Sequence, residues 1–141
     1  MKPFIMGRLY MHDEKLTVVK LWFKKADSDL KNIENNLKSD DPPTDTICFH
    51  AQQAIEKYIK GALIYFGKHI TKTHDLVNLL TAITERISEL EGLEDEFHEI
   101  TRYGVEVRYP DIFYEPSLEE AKSSFEVALK VKDIVLSISV R

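Results

Sequence analysis

The fold is decided by residues 44–67, which read TDTICFHAQQAIEKYIKGALIYFG. Apolar residues recur there at three- and four-residue steps, the spacing that places side chains on one face of an α-helix. The stripe comprises Ile47, Ala51, Ala54, Ile55, Tyr58, Ile59, Ala62, Leu63 and Phe66. We expect Thr44 or Asp45 to cap this helix and Gly67 to close it. The width of the stripe predicts a helix at the centre of the core.

The stretches on either side carry the same periodicity. One helix is expected over about residues 15–37, ending before the run DDPP at 40–43. A third is expected to begin near His74 or Asp75 and to reach the break at Gly92. Its inward positions are Leu76, Leu79, Leu80, Ile83 and Ile87.

Two more helices are predicted in the last third of the chain. The fourth ends before Pro110, because a residue that precedes proline rarely stays helical. Its inward positions are Leu93, Phe97, Ile100 and Gly104. The last begins at Ser117, where Glu120 completes a capping box. Its inward positions are Leu118, Ala121, Phe125, Ala128 and Val135.

With no competing strand signal, these segments predict an all-α fold. We expect one domain over residues 1–141, an up-and-down antiparallel bundle of four to five helices. The 43% hydrophobic content of the 141 residues is enough for one core.

Composition excludes several classes of protein. A formal net charge of -5 argues against a protein that grips duplex DNA. The single cysteine, Cys48, excludes an internal disulfide and a zinc site built on paired thiolates, and we expect no metal or cofactor. No apolar run is long enough for a signal peptide or a membrane span, so a cytoplasmic protein is predicted.

Polar residues on the central helix form the first candidate site. His50, Gln53 and Lys57 lie three and four residues apart and therefore share one face. Their imidazole, amide and ammonium groups could hold a phosphate or a base edge. The alternative is a solvated face on which Glu56 and Lys60 form an ordinary ion pair.

Two further polar segments are candidates. His74, at the start of the third helix, could offer a ring nitrogen to a ligand or belong to a cap. Arg108 could offer a planar fork to phosphate while Tyr109 stacks on a base, or the arginine could anchor the loop by pairing with a nearby carboxylate. Asp27 and Asp29, although close in sequence, are interpreted as solvated carboxylates on a charged face.

Four blocks together resemble a known family. They are WFKKADSDL at 22–30, FHAQQAIEKYIK at 49–60, THDL at 73–76 and VRYP at 107–110. In this order they closely resemble the HEPN domain proteins of bacteria and archaea, over about residues 18–135. The resemblance implies an up-and-down helical bundle, frequent homodimerisation and a link to nucleotide binding or RNA metabolism. Many members act with a small nucleotidyltransferase as a toxin-antitoxin pair.

The resemblance leaves catalysis open. Active HEPN ribonucleases share an arginine followed, after four to six residues, by a histidine. Arg108 is the counterpart of that arginine, yet residues 109–117 contain no histidine. Metal-independent RNA cleavage needs a group that moves protons near neutral pH, usually histidine. No catalytic residue is therefore assigned, and binding is favoured over catalysis.

Three hypotheses follow from these residues. The favoured one is a homodimer that binds a nucleotide, an RNA or a nucleotidyltransferase partner. Its ligand-binding residues would be His50, Gln53, Lys57, His74, Arg108 and Tyr109. The second is a divergent ribonuclease in which His74 or His50 moves protons beside Arg108. The third is a structural dimerisation module whose polar residues set helix registry.

Overall fold

The computed structural model describes residues 2–70, 72–108 and 115–139, and their side chains at 13–70, 72–103 and 115–138. The elements are α1 (Lys2–Leu37), α2 (Thr44–Tyr65), α3 (Leu76–Ile83), a 3-10 helix (Ser88–Leu93), α4 (Glu94–Arg108) and α5 (Leu118–Ser139). The described residues contain no strand. The predicted all-α helical bundle is confirmed.

Helix α2 is the centre of the core, as its apolar stripe predicts. It packs against α1, α3, α4 and α5. Eight of the nine stripe residues are at most 1% exposed, and Phe66 at the end of the helix is partly buried. Because every neighbouring helix packs on α2, its polar residues can meet side chains from several elements.

Contacts along α2 give the directions of its neighbours. Asp27 of α1 meets Tyr58, and Phe23 lies beside Gly61, so α1 and α2 are antiparallel. Cys48 lies beside Ser124, and Lys132 pairs with the same Asp27 that meets Tyr58, so α5 runs parallel to α2. Helices α1 and α5 are therefore antiparallel to each other.

Gly61 sets the distance between α1 and α2. A Cβ at this position would lie 2.7 Å from Cε1 of Phe23 and 3.2 Å from Cβ of Trp22. These distances are shorter than ordinary contacts in a packed interior, which tolerates little added volume. A residue without a side chain is therefore required where the two helices cross.

Two of the predicted helix ends are confirmed in detail. Gly67 adopts φ 73°, and the amides of Gly67 and Lys68 donate to the carbonyls of Ile64 and Leu63 at 2.9 and 2.8 Å. This is the Schellman arrangement that a left-handed glycine allows. At α5, Ser117 and Glu120 exchange two bonds of 3.1 Å, amide to side chain in each direction. The capping box is therefore formed.

Other boundaries differ from the prediction. Helix α1 begins at Lys2 rather than near residue 15. Neither Thr44 nor Asp45 caps α2, because the carbonyl of Pro43 already accepts the amide of Ile47 at 3.0 Å and both residues lie inside the first turn.

The predicted third helix is divided in two. Helix α3 ends at Ile83, a turn follows, and the segment around Gly92 is a 3-10 helix. Ile87 is nevertheless fully buried, because the turn, in which its amide donates to the carbonyl of Ile83, returns it to the core. Leu118 is 40% exposed, so its predicted inward position is wrong. The surroundings of Gly104 lie outside the described side chains.

Candidate functional site

A buried carboxylate organises the first polar group, which we call the Glu56 cluster: Gln52, Gln53, Glu56, Lys60 and His74. Lys60 Nζ donates to Glu56 Oε1 at 2.7 Å, and His74 Nδ1 lies 2.8 Å from the same oxygen. Gln52 Nε2 donates to Glu56 Oε2 at 3.1 Å, and Gln53 Nε2 donates to Gln52 Oε1 at 2.7 Å. Both carboxylate oxygens of Glu56 therefore accept hydrogen bonds.

The Glu56 cluster arises from the helical spacing of α2. Gln52, Glu56 and Lys60 follow at four-residue steps and lie along one row of the helix. Glu56 is 4% exposed and Lys60 8%, so the predicted solvated ion pair on the surface is wrong. The ammonium of Lys60 also lies 5.9 Å from the ring centroid of Trp22 on α1. Trp22 of α1 lies over Lys60, and the segment at His74 lies against Gln52 and Glu56.

His74 is the exposed member of the Glu56 cluster. Its side chain is 60% exposed although its partner Glu56 is buried. The bond from Gln52 Nε2 to the carbonyl of His74, 3.2 Å long, holds the backbone there, and Asp75 caps α3 by accepting from the amide of Val77. A carboxylate at Nδ1 requires a proton on that nitrogen, so Nε2 of the neutral ring is left as an acceptor. The ring is oriented from inside and presented to solvent.

A second carboxylate joins α1 to α2 in the Asp29 cluster: Asp29, His50 and Lys57. His50 Nδ1 lies 2.8 Å from Asp29 Oδ1, and Lys57 Nζ donates to Oδ2 at 2.6 Å. Asp29 is 7% exposed, so the interpretation of Asp29 as solvated is wrong. The Asp29 carboxylate can be buried between two helices because each of its oxygens meets a donor.

Asp27 lies on the same helix but has different partners. Its side chain is 51% exposed; it accepts from the hydroxyl of Tyr58 and lies 3.1 Å from Lys132 Nζ. Burial raises the pKa of Tyr58 well above its usual value, and the bond to Asp27 raises it further. Asp27 therefore connects three helices rather than standing alone in solvent.

The structure divides the predicted site between these two clusters. His50 and Lys57 meet at Asp29, whereas Gln53 belongs with His74 in the Glu56 cluster. Helix α4 ends at Arg108, whose side chain lies outside the described ones, and Tyr109 lies outside the described residues. The sequence prediction missed Asp29, Gln52 and Glu56 as the groups that hold the others.

The Glu56 and Asp29 clusters differ from a phosphate-binding site in their charge. Lys57 and Lys60 are both paired with buried carboxylates, so neither is an unpaired cation. Among the described side chains, no group of three or more histidine, cysteine or acidic residues is placed to hold a metal ion. The two clusters therefore offer directed hydrogen bonds more than net positive charge.

A separate cavity of about 280 Å³ lies between α4 and α5. Four glutamates contribute to its lining: Glu96, Glu99, Glu119 and Glu120. Tyr103 donates to Glu120 Oε2 at 2.8 Å; burial raises the pKa of this tyrosine, and the bond to Glu120 adds to the rise. This acidic lining would repel a phosphate.

The sequence matches the HEPN domain over residues 19–138, which include both clusters. The chain belongs to the HEPN domain family. No curated protein and no solved structure matches it significantly. This HEPN domain has no described helix that is long and apolar enough to cross a membrane.

Proposed function

We propose that this HEPN domain binds a nucleotide at the Glu56 cluster and acts with a small nucleotidyltransferase in a two-component system of the toxin-antitoxin type. The observation that carries the proposal is His74, an exposed imidazole held by a buried carboxylate at 2.8 Å. Exposed side chains that are fixed by buried partners are suited to recognition, because less conformational freedom is lost when a ligand binds.

Because Lys57 and Lys60 are already paired with carboxylates, we expect the candidate residues to have different roles in binding. His74 and Gln53 would form hydrogen bonds to the base or ribose, since both are polar and accessible. Arg108, the family counterpart of a functional arginine, would hold the phosphate and Tyr109 would stack on the base. Lys57 would contribute only an N–H that Asp29 does not accept, because its charge is already paired.

Titration calorimetry with nucleoside mono-, di- and triphosphates tests the ligand. We expect His74→Ala to weaken nucleotide binding by roughly tenfold or more, as expected for a lost directed hydrogen bond. His98→Ala is the matched control, because His98 is an exposed histidine on α4 outside both clusters. Equal losses in the two variants, or none in either, would remove the Glu56 cluster as the binding site.

Affinity purification from the native host tests the partner. The tagged chain should retain a small nucleotidyltransferase, identified by mass spectrometry. Arg108→Ala should reduce nucleotide binding in the same preparation if this arginine holds phosphate. Recovery of the chain alone, under conditions that preserve weak complexes, would contradict the two-component proposal and leave nucleotide binding as a separate result.

A ribonuclease of divergent design is the second candidate, and the geometry of His74 favours it over His50. A histidine oriented through Nδ1 by a carboxylate presents Nε2 for proton transfer, and His74 is 60% exposed whereas His50 is 23% exposed. Cleavage of single-stranded RNA in the presence of a chelator, abolished by His74→Ala and retained by His98→Ala, would establish this activity. Absence of cleavage over a broad pH range would eliminate it.

A further inference from the structure

The carboxylate of Glu56 has no unused acceptor position. An ionised carboxylate accepts about four hydrogen bonds, shared between its two oxygens. Lys60 Nζ and His74 Nδ1 meet Oε1 at 2.7 and 2.8 Å. Gln52 Nε2 and Gln53 Nε2 meet Oε2 at 3.1 and 3.4 Å. Because Glu56 is also only 4% exposed, a ligand contacts the residues around this carboxylate and not the carboxylate itself.

The two glutamine side chains of the Glu56 cluster direct all their N–H groups into the cluster. Gln52 Nε2 donates to Glu56 and, at 3.2 Å, to the carbonyl of His74. Gln53 Nε2 donates to Gln52 Oε1 at 2.7 Å and to Glu56. A side-chain amide nitrogen carries two N–H donors, and both are used in each glutamine. Neither glutamine therefore has a donor left for a ligand.

Two acceptors of the Glu56 cluster remain open to a ligand. The first is Gln53 Oε1, which accepts from no described group. This oxygen reaches solvent, because the one buried and unpartnered side-chain oxygen or nitrogen among the described residues is Thr44 Oγ1. The second is Nε2 of His74, since the neutral ring carries its proton on Nδ1 toward Glu56 and the side chain is 60% exposed.

A pair of open acceptors selects a ligand group that offers two hydrogen-bond donors. It disfavours a phosphate group, because phosphate oxygens are themselves acceptors. Within a nucleotide, two donors lie side by side at the 2′- and 3′-hydroxyls of ribose and at the N1–H and N2–H₂ edge of guanine. Adenine, cytosine and uracil do not place two donors side by side on their pairing edges. The acceptor pair therefore matches either the ribose diol or guanine.

The ribose diol fits these acceptors better than the guanine edge does. Gln53 belongs to α2 and His74 to the segment before α3, so the acceptors come from two elements. A hydroxyl hydrogen rotates about its C–O bond to reach such acceptors, whereas the N–H groups of a base are fixed in one plane. Lys57, one helical turn after Gln53, has an N–H that Asp29 does not accept. A hydroxyl that donates to Gln53 can also accept from Lys57, which an N–H group cannot do.

We propose that the Glu56 cluster recognises the 2′,3′-diol of a ribonucleotide, with Gln53 Oε1 and His74 Nε2 each accepting from one hydroxyl. This inference rests on the proposed nucleotide binding and names the part of the ligand that the cluster contacts. A deoxynucleotide leaves one acceptor without a donor, which weakens its binding. The cluster makes no contact with the base, so affinity depends little on which base is present.

Titration calorimetry with matched nucleotides tests the recognition of the diol. The 2′-deoxy and 3′-deoxy forms of AMP each lack one hydroxyl, whereas GMP and CMP change only the base. We expect each deoxy compound to bind roughly tenfold more weakly than AMP. His74→Ala should abolish the discrimination against one deoxy compound, and Gln53→Met that against the other. His98→Ala, at an exposed histidine outside the cluster, should keep both.

The outcomes of this titration separate recognition of the diol from nucleotide binding itself. Equal affinities for AMP and both deoxy compounds, all weakened by His74→Ala, would keep the binding site and overturn recognition of the diol. A preference for guanine that is independent of the sugar would overturn it as well. If no nucleotide binds, nucleotide binding and recognition of the diol both fail.

The tautomer of His74 provides a test that needs no ligand. The ¹⁵N chemical shifts of the imidazole, measured by NMR on the free protein at neutral pH, show which ring nitrogen carries the proton. We expect the proton on Nδ1 and an unprotonated Nε2. A proton on Nε2 would turn this open acceptor into a donor and overturn the proposal, whatever nucleotides the protein binds.

Discussion

The Glu56 and Asp29 clusters are each built around a buried carboxylate that meets one lysine and one histidine, yet they differ in where those partners come from. Glu56 has Lys60 on its own helix, four residues away, and adds His74 from the segment before α3. Asp29 draws both partners from the neighbouring helix α2. The first cluster ties a loop to α2, and the second ties α1 to α2.

The exposure of the two histidines separates the clusters further. The side chain of His74 is 60% exposed, whereas that of His50 is 23% exposed. The same chemical groups therefore give an open cluster at Glu56 and a nearly closed one at Asp29. A closed cluster fixes the packing of two helices, and an open one also presents an oriented group to solvent. This difference is why the proposed ligand site lies at Glu56.

Removal of Glu56 should have the largest effect on stability. Glu56→Ala leaves the ammonium of Lys60, which is 8% exposed, without a carboxylate in the interior. Breaking a buried pair in this way costs about 3–5 kcal/mol of unfolding free energy. Urea denaturation followed by circular dichroism measures the loss. Glu56→Gln keeps the shape and one acceptor and should lose clearly less, so equal losses would contradict the role of the charge.

The stability of the fold at alkaline pH depends on Cys48, a buried thiol on α2 whose hydrogen-bond partner is the hydroxyl of Ser124. Burial raises the pKa of the Cys48 thiol from 9.0 to about 11, although the hydrogen bond from Ser124 opposes the rise. Between these pH values the unfolded chain releases the proton while the folded chain retains it. Stability present below pH 9 should therefore fall as pH rises to 11, by roughly 2–3 kcal/mol at about 1.4 kcal/mol per pH unit.

Cys48→Ala is the matched variant for this pH dependence. It should lose stability by a constant amount and show a flatter decline between pH 9 and 11. Tyr58 and Tyr103, whose pKa values are also raised, should lower the stability of both proteins above pH 10. The difference between the two curves therefore isolates the thiol, and parallel curves would contradict its protonation in the folded state.

Removal of Asp29 should cost less than removal of Glu56, although both carboxylates are buried. Asp29→Ala leaves His50 and Lys57 without their acceptor, but both side chains are more than 20% exposed and can turn toward water. We expect a loss of about 1–2 kcal/mol, in the lower part of the range for a lost buried partner. Asp40→Ala, at an exposed position, should change little. A larger loss for Asp29 than for Glu56 would reverse the comparison.

The two clusters also show what could be predicted from sequence. The apolar stripe of α2, the end at Gly67 and the capping box at Ser117 are local patterns, and each was confirmed. The four-residue steps of Gln52, Glu56 and Lys60 were visible too, but their burial depends on where α1 and the segment at His74 pack. The Asp29 cluster joins residues 21 and 28 positions apart, and no helical periodicity links them.

The smallest expected effect on stability belongs to His74. It is the most exposed member of either cluster, so His74→Ala should lower the free energy of unfolding by no more than about 0.5 kcal/mol. His50→Ala should cost more, because it removes one of two donors from the buried Asp29. Urea denaturation measures the free energy of unfolding of both variants. Nucleotide titration of the same preparations measures their affinity. If the open cluster recognises a ligand, His74→Ala gives the larger loss of affinity with the smaller loss of stability. If His74→Ala instead destabilises the fold more than His50→Ala does, His74 is a structural residue and the distinction between an open and a closed cluster fails.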